Sequence, residues 1–455
     1  MTTLSIYLDS AKKGIGDKKH RNYVEGIFEH YQAVLENADS FFKFPELLKK
    51  RASFSKYKVI NDLEKYLNEF EILFTKRGGR IIWAADHEEA VKEIIKLLRE
   101  KGIRKTVKSN SKAIGEIQLG KALQEVSIDC LETEFNAFYN QTQENPREGT
   151  SFPVLDINFA QASQNLQKHL KFDGKNTQQT IDYVKKYLIN QCSQIRVGIT
   201  GVNFLISDIG GLAICENQGN IAMNTSFPEI HIAISGVEKM IPSLVDLEKF
   251  LHLLATHTSN EMLPWQTQII TGPRQENETD GPKELYLVLI DNKRTEVIKQ
   301  VKQREIFHCI HCGACTGFCP VYKLIGGEPY GGVYVGPVGS VVNPFMMDFY
   351  YAAHQSYACT LCRRCTEVCP MKIPIHELIL QNRKETVRRE FYVTLDKSRI
   401  KHLRKMMIKR ATMDSWFQNT VLKMTYKKLF GNQKIFPDLS QRSFNVRYRE
   451  KNNIR

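Results

Sequence analysis

Apolar residues recur at helical spacing from Arg21 to Asn37 and again from Val59 to Phe74, with Phe41, Phe42, Phe44 and Pro45 breaking the pattern between them. From Gly79 the pattern changes to short apolar runs that alternate with amphipathic stretches. Arg80-Ile-Ile-Trp-Ala-Ala predicts a buried strand, and Glu88 to Lys101 a helix closed by Gly102. Lys105–Lys108 predicts a second strand, Lys112–Leu123 a second helix and Val126–Cys130 a third strand. Repetition of strand and helix at this length points to right-handed crossovers and a mainly parallel sheet. Further on, the pattern predicts a helix over Thr177–Ser193, two apolar runs hinged at Gly210-Gly211, a strand over His231–Ser235, and a helix ending near Thr256. Strands over Trp265–Thr271 and Glu284–Ile290 close this α/β region, and a helix over Thr295–Phe307 delivers the chain to a cysteine-rich segment.

That segment organises the rest. Cys309-Ile-His-Cys312-Gly-Ala-Cys315-Thr-Gly-Phe-Cys319-Pro320 is repeated as Cys359-Thr-Leu-Cys362-Arg-Arg-Cys365-Thr-Glu-Val-Cys369-Pro370. Both runs have the spacing C-x2-C-x2-C-x3-C-P, in which three thiolates face one cubane and the fourth ligates the other cluster. The rule assigns Cys309, Cys312, Cys315 and Cys369 to one 4Fe–4S cluster and Cys359, Cys362, Cys365 and Cys319 to a second. Two tetrahedral zinc sites are the alternative for eight cysteines, but they leave no use for the third cysteine and the C-P of each run. A disulfide framework suits small secreted domains rather than a chain of 455 residues. Between the motifs, Gly326 to Gly339 is rich in Gly and Pro. No strand precedes it and no Lys-Ser/Thr follows, so it reads as a close backbone cover over a cluster, with N–H groups near sulfur, rather than a phosphate loop. Cys130, Cys192 and Cys215 lie apart from the motifs and read as small core residues.

Charge changes the picture only at one end. The net charge of +14 resides in residues 371–455, which hold 21 Lys and Arg against 7 Asp and Glu, while residues 1–370 are neutral. A neutral body with no helix–turn–helix or similar signature argues against nucleic acid as the ligand. The basic helix Arg399–Arg410 suits docking to a partner or an anionic lipid surface. No basic leader followed by an apolar core opens the chain, and no run approaches the ~20 apolar residues of a spanning helix. The expectation is a cytoplasmic protein with at most peripheral membrane contact.

Chemistry in the α/β region is harder to read. Lys108-Ser109-Asn110-Ser111-Lys112 stands at a strand end before a helix, where either an anion site or a plain N-cap fits. The polar turn Glu216, Asn217, Gly219 and Asn220 could line a pocket, although tight turns need no function. No dinucleotide-binding glycine fingerprint is present.

Several stretches together resemble the lactate-utilisation protein B family. They are Thr200-Gly-Val-Asn-Phe, Glu216-Asn-Gln-Gly-Asn220, Ile232-Ala-Ile-Ser-Gly-Val-Glu-Lys239, Leu289-Ile-Asp-Asn-Lys-Arg294, Gly326-Gly, Tyr334-Val-Gly-Pro-Val-Gly339 and the double cluster motif. The resemblance runs from about residue 60 to the C-terminus. It implies an α/β domain of the sugar-isomerase/CoA-transferase (LUD) type followed by a helical, ferredoxin-like module with two 4Fe–4S clusters. The expected division is a helical segment over 1–75, the LUD-like domain over 76–295, the cluster module over 296–390 and a basic helical extension over 391–455. It also implies an iron–sulfur subunit of an L-lactate oxidising complex rather than a complete enzyme. Its partners would be a cysteine-rich subunit of the heterodisulfide-reductase type and often a smaller LUD-type subunit. If the α/β domain were itself catalytic, an acyl- or CoA-handling site with Glu116, Asn203, Glu216 or Glu238 would be the candidate. Residues 132–159 depart from the family pattern, so substrate contacts there do not carry over.

Overall fold

The apolar run Ile230–Gly236 is the buried axis of the α/β region. In the computed structural model, residues 3–16, 25–26, 28–29, 32–33, 35–143, 159–174, 176–389 and 444–451, with positions 405, 424 and 427, are described. Strands are numbered in chain order: β1 is Arg80–Ala84, β2 Lys105–Lys108, β3 Asp129–Glu132, β4 Val197–Gly201, β5 Phe204–Ile206, β6 Gly211–Glu216, β7 Ile230–Gly236, β8 Met240–Ile241, β9 Gln266–Ile270 and β10 Glu284–Ile290. Every residue of β4 and β7 is buried, which is what strands covered on both faces require. The larger sheet has the order β1-β10-β7-β4-β2-β3, and all its pairs are parallel. Two polar residues interrupt its axis, Ser235 and His231, whose Nε2 lies 2.7 Å from Thr200 Oγ1 on the neighbouring strand.

The crossover helix His87–Glu100 shows why the local pattern holds. Asp86 caps it by accepting from Glu89 N at 2.9 Å, Ala90, Ile94, Leu97 and Leu98 form its buried stripe, and Gly102 ends it at φ +65°. A smaller sheet, β8-β5-β6-β9, follows the central strands. Its β5–β6 hairpin turns at Gly210, where φ is +55° and a Cβ would lie 2.5 Å from Phe74 N, so only glycine fits.

Several boundaries differ from the pattern. The helix expected over Val59–Phe74 is broken at Asp62, separating Pro45–Asn61 from Leu63–Lys76. The break separates a helix whose Ala52 and Ile60 enter the core beneath the cysteine motifs from one whose Phe70 and Phe74 pack under the larger sheet. The helix expected over Lys112–Leu123 is two, Lys112–Glu116 and Leu119–Glu125, with Gln118 left-handed between them. The third strand starts at Asp129 rather than Val126, because Ser127 turns the chain at φ +59°. Thr295–Phe307 is a short helix, Arg294–Ile298, and a 3-10 turn, Gln303–His308.

Residues Met1–Arg383 form one compact unit. Within it, one core joins Phe204, Ile206 and Phe250 of the α/β region to Cys312, Cys315, Cys365, Cys369 and Ile373 of the cysteine module. The second unit, Lys384–Arg455, contains the helix Phe444–Lys451 among its described residues. Apart from Lys405, the basic segment Arg399–Arg410 lies outside the described residues, as do Trp416, Phe417, residues 144–158 and much of Arg21–Asn37. Among the described residues, no helix is long and apolar enough to cross a membrane.

Candidate functional site

The two cysteine motifs wind alike. His311 and Gly313 adopt φ of +59° and +83°, and Leu361 and Arg363, at the same positions of the repeat, +55° and +69°. Left-handed residues between right-handed ones turn backbone N–H groups toward one concave side. His311 N accordingly donates to Cys309 Sγ at 3.3 Å, and Leu361 N to Cys359 Sγ at 3.3 Å. Cys319 caps the helix Pro320–Ile325, accepting from Tyr322 N at 3.5 Å, with Pro320 at the first helical position.

Four of the eight thiols share one cavity, and the charges of the other four act on one another. Cys309, Cys312, Cys315 and Cys369 line one cavity, together with Lys112, His311, Tyr334 and Val338. Burial pushes the Cys312 and Cys315 thiols well up, and the charges of Cys309 and Cys369 add to the effect on both. Burial likewise pushes Cys369 up to about 11, with Cys309 adding. In the other set, burial pushes Cys319 up to about 11 and Cys365 to about 12, and Cys359 and Cys362 contribute to both. Cys315 and Cys365 lie in the same buried core, so the sets are neighbours. Thiols raised this far become ligands only beside a cationic centre, since metal ligands must be deprotonated and a bound cation inverts the local acidity. Backbone donors aimed at sulfur and a cavity walled by four thiols fit an iron–sulfur cluster. Tyr334, Val335 and Val338 of the Gly/Pro-rich connection present themselves on that cavity, whereas the N–H donors named above come from within or just after the motifs.

Behind the first cavity lies a buried ion cluster. Strands β7 and β10 run in register to Gly236 and Ile290, so the residues that follow them, Glu238 and Asn292 to Arg294, meet at the carboxyl end of the sheet. Arg294 forks onto Glu116, with Nη1 2.8 Å from Oε1 and Nη2 2.7 Å from Oε2, and its Nε donates to Glu238. Asn292 Nδ2 donates to Glu116 at 2.6 Å, and Tyr334 OH donates to the same carboxylate at 2.9 Å. Burial alone would raise Glu116, but the Arg294 guanidinium and these hydrogen bonds outweigh it and hold the carboxyl below its usual range. Gly236 makes room for the cluster: a Cβ there would stand 2.0 Å from Glu238 Oε2 and 2.5 Å from Arg294 Nε. Lys56 donates to the carbonyls of Glu238 and Met240, and burial drops it to about 7 despite the pull of Glu238. Lys239 is lowered by burial to about 8.

The four carboxylate and amide candidates separate. Glu116 and Glu238 come together through Arg294. Glu216 instead accepts from Ile221 N and Ala222 N at 2.6 and 3.1 Å, holding the start of the helix Asn220–Ser226. Asn203 Oδ1 accepts from Cys215 N at 2.9 Å, bracing the turn into the hairpin. Ser111 accepts from Ile114 N at 3.2 Å as an N-cap, and Lys108 is paired with Glu132. Cys130, Cys192 and Cys215 carry thiols raised by burial, to about 11, 12 and 11. Reading by residue type passed over Asn292, Arg294, Tyr334 and Lys239, and weighed Lys112 only as part of an anion site or N-cap. The signal was present in the stretches Ile232–Lys239, Leu289–Arg294 and Tyr334–Gly339, which place ionisable groups directly after buried strands or beside glycines.

Comparison with known proteins places two family matches on the chain. Residues 67–290 match the LUD domain family, and residues 305–373 match the 4Fe-4S dicluster domain family. The dicluster match decides for two 4Fe–4S clusters over zinc. Lactate utilization protein B of Bacillus cytotoxicus is 34% identical over 335 residues, spanning 73% of this chain and 70% of that one. The uncharacterized electron transport protein YkgF of Escherichia coli K12 is 32% identical over 327 residues, spanning 72% and 69%. A crystal structure of a DUF162 family protein from Deinococcus radiodurans aligns with a TM-score of 0.30 and 13% identity, over 50% of this chain and 97% of that one.

Proposed function

The chain belongs to the family of lactate utilization protein B, and from this premise we propose that it is the iron–sulfur electron-transfer subunit of a complex that oxidises L-lactate, or a related 2-hydroxy acid, to the keto acid. An iron–sulfur electron-transport role in lactate utilisation follows from the family and its dicluster domain. The substrate, the product pyruvate and a downstream acceptor such as a quinone or flavoprotein are the proposal. The observation that carries it is the adjacency of the two thiol sets, whose Cys312, Cys315, Cys365 and Cys369 share one buried core.

Each cluster, when bound, carries a single electron. Cys309, Cys312, Cys315 and Cys369 are the proposed ligands of one and Cys359, Cys362, Cys365 and Cys319 of the other. Converting a secondary alcohol to a ketone removes two electrons and two protons, so two one-electron centres match one turnover. The group that takes the pair from carbon is assigned to a partner, because no dinucleotide fingerprint occurs in this chain. The partners proposed are a cysteine-rich subunit of the heterodisulfide-reductase type and a smaller LUD-type subunit. The compartment proposed is the cytoplasm.

A second reading makes the α/β domain the site of chemistry. It is favoured by Tyr334, which lines the first thiol cavity and hydrogen-bonds Glu116. Against it, Arg294 is saturated by Glu116, Glu238 and Tyr334, so it has no face left for a substrate carboxylate. Anaerobic purification of the chain alone and with its co-purifying subunits, followed by EPR during addition of L-lactate, separates the two. Reduction only in the presence of partners supports the relay. Reduction in the isolated chain places the chemistry in the α/β domain, and no response in either preparation removes lactate as the substrate.

A further inference from the structure

The two motifs share a backbone winding but not a surface. In the first motif, Gly313 and Ala314 follow the second cysteine; Cys312 and Ala314 are buried. At the matching positions of the second motif, Cys362, Arg363 and Arg364 are all exposed. Arg363 holds the same left-handed conformation as Gly313, at φ +69°, although that conformation is unfavourable for an L-residue. Neither arginine forms an ion pair among the described residues, and Glu367, exposed on the same short helix, is not paired with them. Beside them, Arg383 donates to Cys359 O and, at 2.9 Å, to Ser356 O, with its guanidinium 5.5 Å from the ring centre of half-exposed Tyr357. The face around the exposed ligand is therefore cationic with an aromatic edge. Arginine and tyrosine are the residue types that dominate protein interfaces.

We propose that the Cys362–Arg364 face, flanked by Tyr357 and Arg383, is where this chain hands electrons to a carrier protein that presents an acidic surface. The proposal rests on the relay reading above. Electron tunnelling falls steeply with distance, so the shortest way out of the second thiol set is the ligand at the surface rather than those in the shared core. Among the described residues the first set has no exposed ligand: Cys309 is half-buried, Cys312, Cys315 and Cys369 are buried, and its walls include Lys112 and Tyr334. Complementary charge raises the encounter rate with a partner and fixes its orientation, and that effect weakens with salt.

The test uses the full chain with both clusters, reduced by dithionite freed of excess, and stopped-flow reoxidation by two small dyes. One is the dianion anthraquinone disulfonate and the other the cation phenosafranine. Each dye takes two electrons, one from each reduced centre, with its protons from water. The expected result is a higher rate with the anion, lost progressively as KCl is added. Arg363→Glu with Arg364→Glu lowers the anion-to-cation rate ratio by about tenfold or more, while Arg363→Lys with Arg364→Lys keeps it. Iron content and EPR spectra of each variant report whether both clusters remain. An unchanged ratio in the glutamate variant with its clusters intact overturns the proposal. So does a salt-independent rate in the parent chain, which decides the matter even if the glutamate variant loses a cluster. Lactate-dependent reduction of the same preparation in the presence of partners stands or falls separately, so failure here leaves the relay reading intact.

Discussion

Arg294 and Glu116 meet in a two-pronged ion pair, at 2.8 and 2.7 Å, across 178 residues of sequence, with both side chains withdrawn from solvent. The pair ties the end of β10 to the short helix Lys112–Glu116 on one side and, through Glu238, to the end of β7 on the other. Removing one partner of such a group leaves a buried charge uncompensated. Arg294→Met therefore strands Glu116 and Glu238 together, with an expected loss of about 3–5 kcal/mol. Thermal unfolding of the iron-loaded chain measures it. Arg294→Lys keeps the charge but not the fork, so it falls between the two.

Gly236→Ala tests the same cluster from the backbone. Its Cβ would stand 2.0 Å from Glu238 Oε2 and 2.5 Å from Arg294 Nε, which cannot both retreat without breaking their contact. A loss of about 1–3 kcal/mol is expected, as for overpacking a filled core. A stability within error of the parent would mean that the ion cluster is looser than described.

Ligand crossing is tested by exchanging one cysteine from each run. In Cys369→Ser the set that begins at Cys309 should fail and the set completed by Cys319 should persist, and Cys319→Ser should do the reverse. Each variant should retain about four of eight irons. EPR of the reduced proteins should show the interaction between the two centres lost in both. Loss of the second run's own cluster in Cys369→Ser would reject the crossed assignment.

Acid sensitivity should come from buried histidines. Burial lowers His231 to about 4, against 6.5 for the exposed side chain. Between those values the unfolded chain binds a proton that the folded chain does not, so stability rises with pH across the window and falls on acidification. At pH 5 the loss from His231 is about 2 kcal/mol relative to pH 7, at about 1.4 kcal/mol per pH unit below 6.5. His257 and His308, also lowered to about 4 by burial, add to it. His231→Gln should flatten the fall in melting temperature between pH 7 and 5 by that share. A parallel pair of curves would show that His231 does not contribute.

The motif repeat also predicts a stabilising change. Arg363 occupies the left-handed position that Gly313 fills in the first run. Arg363→Gly relieves that conformation while adding freedom to the unfolded chain, so a net gain of about 0.5–1 kcal/mol is expected. Thermal unfolding of the iron-loaded variant checks it, and the same variant should weaken the anion preference described above.

Much of the α/β architecture was legible because its strands are short apolar runs bounded by glycine, charge or caps. Arg80–Ala84, Lys105–Lys108, Ile230–Gly236 and Glu284–Ile290 stand where their patterns put them, within a residue or two. Breaks were not legible. Asp62 divides one helical pattern, and Gln118 and Ser127 interrupt theirs with left-handed backbone that their residue types do not announce. The roles of Glu216 and Asn203 were equally closed to inspection, since a carboxylate that holds a helix start and one that meets substrate are the same residue type in a string.

What the sequence determined by itself was local: the strand and helix periods, the hairpin at Gly210, and the spacing of eight cysteines that suits two cubanes. These depend on contacts within a few residues, which a pattern records directly. The tertiary structure decided the rest. It brought Glu116, Glu238, Arg294 and Tyr334 to one point, walled the first thiol set with Lys112 from the α/β domain, and left Cys362 at the surface while burying its counterpart Cys312. Those outcomes turn on which distant strand end faces which motif. Burial, and with it the charge state and accessibility of every one of these groups, exists only after the chain has closed on itself.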